Sequence, residues 1–334
     1  MVIALLAPAA LGAWPGSNGR IVFEDSEGAP PSMCPPSCGA SDLYTVSPGH
    51  PIPIDGQPVG VRAACGEASD CEPAWSPDGQ TLAYDASYYA SPDSSQVIER
   101  VGVTRLGQPT RFLAPLRTEA RSSDLAPAFA PDGRRVVLSL DGQLLIDRID
   151  GKRVRRVSLR GLRGGRASSP AWSRRGLIAF VHSGNIYVVY PGGRGMRRLT
   201  DRGGADPTFS PDGAEIAFTR GGRIYRIRVA GGAPRRFPGL ARICPCAMPA
   251  WSPDGGSIAF VTNTGESNAG FSNSLYTIRV DGRHPVRLYT AGQYGTVSGP
   301  DWQPPGPCAL LGFQLFRYRD GRIGVGRQQS SGLE

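Results

Sequence analysis

One short phrase recurs along the chain, and that recurrence constrains the fold more than any single residue. The phrase Pro73-Ala74-Trp75-Ser76-Pro77-Asp78-Gly79, followed by Leu82-Ala83-Tyr84, has four counterparts. They begin at Pro127 (then Val136-Val137-Leu138), Pro170 (then Ile178-Ala179-Phe180), Pro207 (then Ile216-Ala217-Phe218) and Pro249 (then Ile258-Ala259-Phe260). The front half alone stands at Pro300-Asp301-Trp302-Gln303-Pro304, and the back half alone at Asn18-Gly19-Arg20-Ile21-Val22-Phe23. The leading prolines lie 37 to 54 residues apart, close to the roughly 40 to 50 residues of a four-stranded propeller blade.

The phrase has a mechanical reading. In Ser-Pro-Asp-Gly, proline presets the first turn dihedral, aspartate bonds nearby backbone, and glycine takes the left-handed position. Such a turn joins two antiparallel strands. Third strands follow, as at Leu43-Tyr44-Thr45-Val46, Ile186-Tyr187-Val188-Val189, Ile224-Tyr225-Arg226-Ile227 and Leu275-Tyr276-Thr277-Ile278. A glycine turn then leads to a fourth strand, through Gly49, Gly107, Gly151, Gly192, Gly231 or Gly282. No stripe of helical period interrupts the pattern. The expected fold is all-β: a six-bladed β-propeller of four-stranded antiparallel blades. Blade 1 is shared between the N- and C-terminal strands, which removes the unpaired sheet edges of an open ring. The expected organisation is an apolar arm over residues 1–17, one propeller domain over 18–304, and an extension over 305–334 that forms a hairpin before a disordered end.

Charge and cysteines bear on compartment and partners. The formal net charge is +9, and Lys152 is the single lysine among 37 basic residues. The densest run, from Arg148 through Arg153, Arg155, Arg156, Arg160 and Arg163 to Arg166, is placed on the outer strands of blade 3. There it reads either as a solvated edge protected from pairing or as a patch for an anionic surface. No nucleic-acid-binding module is visible. The apolar start, Val2-Ile3-Ala4-Leu5-Leu6-Ala7 and Leu11-Gly12-Ala13, resembles a secretory signal without its basic leading segment, and it is too short to span a bilayer. Cys34 and Cys38, Cys65 and Cys71, and Cys244 and Cys246 form close pairs that suit disulfides in an oxidising compartment, with Cys308 left over. The chain is expected to be a secreted or periplasmic monomer.

Propeller geometry places two candidate sites. The phrase turns define one face, called here the bottom; loops between strands 2 and 3 and between blades define the top. Top loops are minimal at Asp141-Gly142, Ser183-Gly184 and Gly221-Gly222, and long at Ser26 to Ser41, Ala86 to Gln96 and Thr262 to Asn273. Blades 6, 1 and 2 therefore share an elaborated top sector, where a scaffold carries function. Its candidate contacts are Tyr88, Tyr89, Asp93, Asn268, Phe271 and Asn273. The second candidate is the channel mouth, where Asp70, Glu72, Asp124 and Asp206 either hold a hard cation such as Ca2+ or simply cap turns.

With its Ile-Tyr strands and the Leu199-Thr200 ending, the phrase resembles the WD-like repeat of TolB-like β-propellers, which also builds the propellers of prolyl-oligopeptidase-type peptidases. Trp14 to Phe23 is similar to the start of secreted bacterial members. The resemblance implies periplasmic or extracellular protein binding through a propeller face, sometimes with a cation in the channel. The chain departs from it in lacking both the α/β domain that precedes the TolB propeller and a Gly-x-Ser-x-Gly nucleophile elbow. Arg174-Arg175 also replace Pro-Asp, which predicts an altered turn in blade 4. His50, His182 and His284 are not expected to converge. The expected function is a non-catalytic scaffold that engages a protein or cell-envelope glycan through the top of blades 6, 1 and 2. The alternative is a glycan-acting enzyme, of lyase or hydrolase type, with a channel-mouth cation.

Overall fold

A computed structural model describes residues 18–26, 41–48, 59–64, 72–89, 97–105, 110–113, 116–117, 125–152, 154–263, 273–291, 296–305, 313–317 and 323–327. Six antiparallel sheets follow one another around a ring. Blade 5 shows the plan: Ala205–Phe209 innermost, then Glu215–Arg220, Arg223–Arg228 and the short outer Arg235–Arg236. Blade 1 takes its inner strand, Thr296–Trp302, from the far end of the chain and pairs it with Ile21–Ser26. Ile21 lies opposite Trp302 and Val22 opposite Asp301, so the ring is shut by its two ends. Gly19 donates its N–H to the Gln303 carbonyl at 3.1 Å, and Gln303 donates to that of Arg20 at 2.7 Å.

The apolar phrase is continuous, not alternating, because each blade is covered on both faces. In the second strand of blade 4, Ile178 and Phe180 pack toward blade 3, whereas Ala179 packs toward blade 5. Blade 5 repeats this, with Ile216 and Phe218 against blade 4 and Ala217 against blade 6. Each blade thus sets large side chains onto a smaller central residue of the blade before it, Ala83, Ala179, Ala217 or Ala259 in four cases and Val22 or Val137 in two, the interlocking expected of stacked sheets. The core is six such clusters, one per interface, each holding a phrase aromatic: Trp75, Phe129, Trp172, Phe209, Trp251 or Trp302.

The bottom turns close as their residues dictate. In blade 5, Gly213 donates to the Ser210 carbonyl (2.7 Å), Ser210 Oγ donates to Asp212 Oδ1 (2.6 Å), and that carboxylate accepts from the Ala214 N–H (3.0 Å). Blade 4 keeps the glycine bond, Gly176 N–H to the Ser173 carbonyl at 2.9 Å, but its turn is one residue shorter. Ser173 pairs with Leu177, where Ser210 pairs with Glu215. The predicted alteration is therefore a shortening that preserves the hairpin.

The blade-4 edge turn includes Gly192 as expected, and its neighbour Gly193 takes the left-handed conformation and donates its N–H to the Tyr190 carbonyl. Two other expectations are corrected. Arg160, Arg163 and Arg166 lie after the outer strand of blade 3, in the connection to blade 4, because that strand is only Val154–Arg156. The blade-2 hairpin also runs further than its sequence suggests. Thr81–Tyr89 pairs with Val97–Arg105 over nine residues, so Tyr88 and Tyr89 belong to a strand and not to a loop. Its outer strand is split into Arg111–Phe112 and Leu116–Arg117. Beyond the ring, Phe313–Arg317 pairs with Ile323–Arg327.

Candidate functional site

The top face divides into two kinds of sector. In blades 3, 4 and 5 the turn between strands 2 and 3 is two residues long, with both residues at positive φ: Asp141 and Gly142, Ser183 and Gly184, Gly221 and Gly222. This is the type I′ geometry that matches strand twist. Each turn also holds the next blade. The carbonyls of Gly142, Gly184 and Gly222 accept the N–H groups of Ala167, Gly204 and Cys246, all at 2.9 Å. At the last of these clamps Cys244 and Cys246 are joined by a disulfide, with Cα atoms 4.5 Å apart.

In blades 6, 1 and 2 the same connections are long. The blade-2 hairpin continues through Tyr88 and Tyr89, paired with Ile98 and Val97. In blade 6, Asn273 opens the third strand opposite Asn263. Asp93, Asn268 and Phe271 lie outside the described residues, as do Cys34, Cys38, Cys65, Cys71, Cys308 and residues 1–17.

The channel is built by one repeated backbone device. The residue before each phrase proline sits in the left-handed region: Glu72, Ala126, Ser169, Asp206, Met248 and Gly299, with φ from 30° to 53°. In blades 1, 4, 5 and 6 the pairing register shifts there, so each inner strand bulges toward the axis. Non-glycine residues in this conformation cost about 1–3 kcal/mol each, and such strain gathers where a surface must be shaped. The seam makes the tightest demand: a Cβ on Gly299 would lie 3.0 Å from Pro73 and 3.2 Å from Glu72. The six left-handed residues and the inner strands beside them line an open cavity of about 230 Å3 on the axis.

Of the predicted channel-mouth carboxylates, Glu72 and Asp206 line this cavity from blades 2 and 5, three blades apart around the ring. Asp206 accepts the Met248 N–H at 3.4 Å, a turn-capping contact with the next blade. Asp70 and Asp124 lie outside the described residues. Among the described residues, no three His, Cys, Asp or Glu side chains gather as metal ligands would. His182 is buried against the edge of Tyr187, and His284 stands at positive φ beside the Gly282 turn.

A carboxylate not anticipated as a site residue occupies the channel wall. The position after the phrase proline holds Ala74, Ala128, Ala171, Thr208 and Ala250, but Asp301 in blade 1. Its Oδ2 accepts the Trp75 N–H at 2.7 Å, which ties blade 1 to blade 2 across the closure. The residue keeps some surface on the channel, yet burial pushes its carboxyl up to about 7, against backbone N–H bonds from Trp75 and Trp302 that pull it down. An alignment of the copies holds the signal: five small residues and one acid.

Six twisted four-stranded sheets around a lined axis define a β-propeller, and within that class the fold is that of TolB-like six-bladed propellers. The crystal structure of TolB from Acinetobacter baumannii superimposes with a TM-score of 0.61 at 20% identity, over 86% of this chain and 67% of that one. "Protein TolB homolog" of Chlorobium luteolum is 34% identical over 111 residues, 30% of this chain and 24% of the relative. "Putative tricorn protease homolog 2" of Streptomyces coelicolor is 29% identical over 253 residues, 67% of this chain and 20% of the relative. The matches thus span a quarter or less of these curated relatives. No protein-family model matches the chain.

Proposed function

We propose that the protein is a non-catalytic binding scaffold of the periplasm or cell exterior. It engages a protein or cell-envelope glycan through the top of blades 6, 1 and 2. The observation that carries this reading is the nine-residue hairpin of blade 2, which outgrows the five- or six-residue second and third strands of blades 3, 4 and 5. Long connections on a rigid ring are where a scaffold places recognition. The likeness to TolB structures supports the scaffold role.

The test replaces residues 90–96 by Asn-Gly, which closes the hairpin as a two-residue turn. Immobilised chain with this change is expected to lose at least tenfold of its capture of the principal component retained from a periplasmic extract. Gly184→Ala, in the trimmed sector, should retain that capture. Equal capture by wild type and loop variant defeats the sector assignment. The rival reading, a glycan-acting enzyme with Ca2+ or another cation held by Asp70, Glu72, Asp124 and Asp206, predicts stoichiometric metal in the purified protein, lost on Glu72→Gln/Asp206→Asn.

A further inference from the structure

The bottom face carries a second feature, independent of the top sector. A groove of about 990 Å3 runs between the bottom turns and third-strand ends of blades 4, 5 and 6, at the upper end of the range for ligand sites. Its wall contains five guanidinium groups, from Arg174, Arg175, Arg197, Arg226 and Arg228, against three carboxylates.

The carboxylates are already engaged. Asp212 accepts from Ser210 and Ala214, Asp254 from Ser252, Gly256 and Asn18, and Glu215 pairs with Arg226 at 3.6 Å. Despite the desolvation that raises it, these turn bonds and the nearby charge of Arg175 hold the Asp212 carboxyl below its ordinary range. Among the arginines, Arg175 donates to the Asp212 carbonyl and Arg197 to that of Val229. Arg174 and Arg228 have no ion-pair or hydrogen-bond partner for their guanidinium groups among the described residues. Tyr190, which also lines the groove, is 47% exposed, an unusual degree for a large ring. The charge arises from a specific change: blade 4 places Arg174-Arg175 where the other full copies carry Pro-Asp, so a turn carboxylate is exchanged for two cations. Exposed arginine pairs at Arg197–Arg198 and Arg235–Arg236 extend the positive field over the outer wall.

We propose that this groove binds a carboxylate-bearing polysaccharide, with Arg174 and Arg228 pairing its uronate groups and the Tyr190 ring lying under a sugar face. Guanidinium forks match carboxylates in two-bonded geometry. The surface is concave, unlike one that lies on a bilayer, and it has one exposed ring where a single-stranded nucleic acid needs a series.

The test is titration of the full chain with alginate oligomers at low salt, with dextran, heparin fragments and phosphatidylglycerol vesicles as comparison probes. Wild type should bind alginate and not dextran. Arg174→Glu/Arg228→Glu should weaken alginate at least about tenfold, as expected for two lost charge-assisted contacts, and Tyr190→Ala about threefold to tenfold. Arg155→Glu/Arg156→Glu, the same charge change on the edge of blade 3, should cost less than about threefold. Arg174→Gln/Arg228→Gln, which removes the two charges without adding negative ones, replaces the Glu pair if that variant does not fold, and should also weaken binding. The proposal is overturned if wild type does not bind alginate, if the blade-3 control loses as much as the groove variant, or if heparin or vesicles are held through the groove more tightly than alginate.

Discussion

Blades 4 and 5 differ from blades 1 and 2 in where they spend their loops. The first pair closes its top with two-residue turns whose carbonyls clamp the following blade, and it shows its unusual chemistry at the bottom. Arg174 and Arg175 there replace the turn aspartate. The second pair keeps an ordinary phrase turn at the bottom in blade 2 and extends the top of that blade through a long hairpin, while in blade 1 the chain ends meet in place of the bottom turn. A top turn that must hold its neighbour cannot grow without releasing it. Elaboration at the top is therefore confined to blades freed from that task, and variation in the others moves to the opposite face.

The comparison can be tested first at its strongest point, the seam. Trp302 and Trp172 hold equivalent phrase positions and are 3% and 6% exposed, but only Trp302 donates its indole N–H, to the Ala250 carbonyl at 3.1 Å. Trp302→Ala is expected to cost about 4–5 kcal/mol by urea denaturation, and Trp172→Ala about 3–4, since loss of a buried aromatic is compounded at the seam by an unpaired carbonyl. Equal losses would mean that closure adds nothing to the blade interface.

The clamp turns come next. A Cβ at Gly142 would lie 2.8 Å from Arg166 and would sit at φ 73°, whereas Gly184 has φ 70° and open space around it. Gly142→Ala should cost about 2–3 kcal/mol and Gly184→Ala about 1, the left-handed penalty alone. If the two match, close approach of the next blade is not what fixes these turns.

The smallest effect concerns Asp301. Its folded carboxyl titrates near 7, above the unfolded range near 4, so the folded state holds a proton that the unfolded chain has released. Stability is full below about pH 4 and falls as pH rises through about 7. Asp301→Asn keeps a carbonyl for the Trp75 N–H and removes the titration. It should flatten this slope and raise stability at pH 8 by about 1–2 kcal/mol, less than the whole shift implies because part of the residue meets the channel. A variant less stable than wild type at pH 8 would show that the ionised carboxylate is compensated by a partner.

The blade count, the strand order and the pairing of Trp302 with Ile21 were legible because the phrase fixes a turn every blade and a split copy has one way to be completed. Tyr88 and Tyr89 were misplaced for a physical reason: Ser-Tyr-Tyr reads equally as loop or strand until pairing with Val97 and Ile98 decides it. Asp301 was visible as a break in the repeat, but its enclosure depends on blade 2 arriving against it. The groove could not be read at all. Arg174, Arg197 and Arg228 are separated by tens of residues, and charge density along the chain drew attention instead to blade 3.

What the sequence determined alone is the local grammar. Proline, aspartate and glycine set each hairpin, and alternating large and small apolar residues set which face meets which neighbour, since these depend on dihedrals and side-chain size within a few residues. Only the tertiary structure decided the bulged ring around the channel, the buried acid at the closure and the arginine groove. Each arises where two blades meet, from residues whose proximity is set by ring curvature and not by their spacing along the chain.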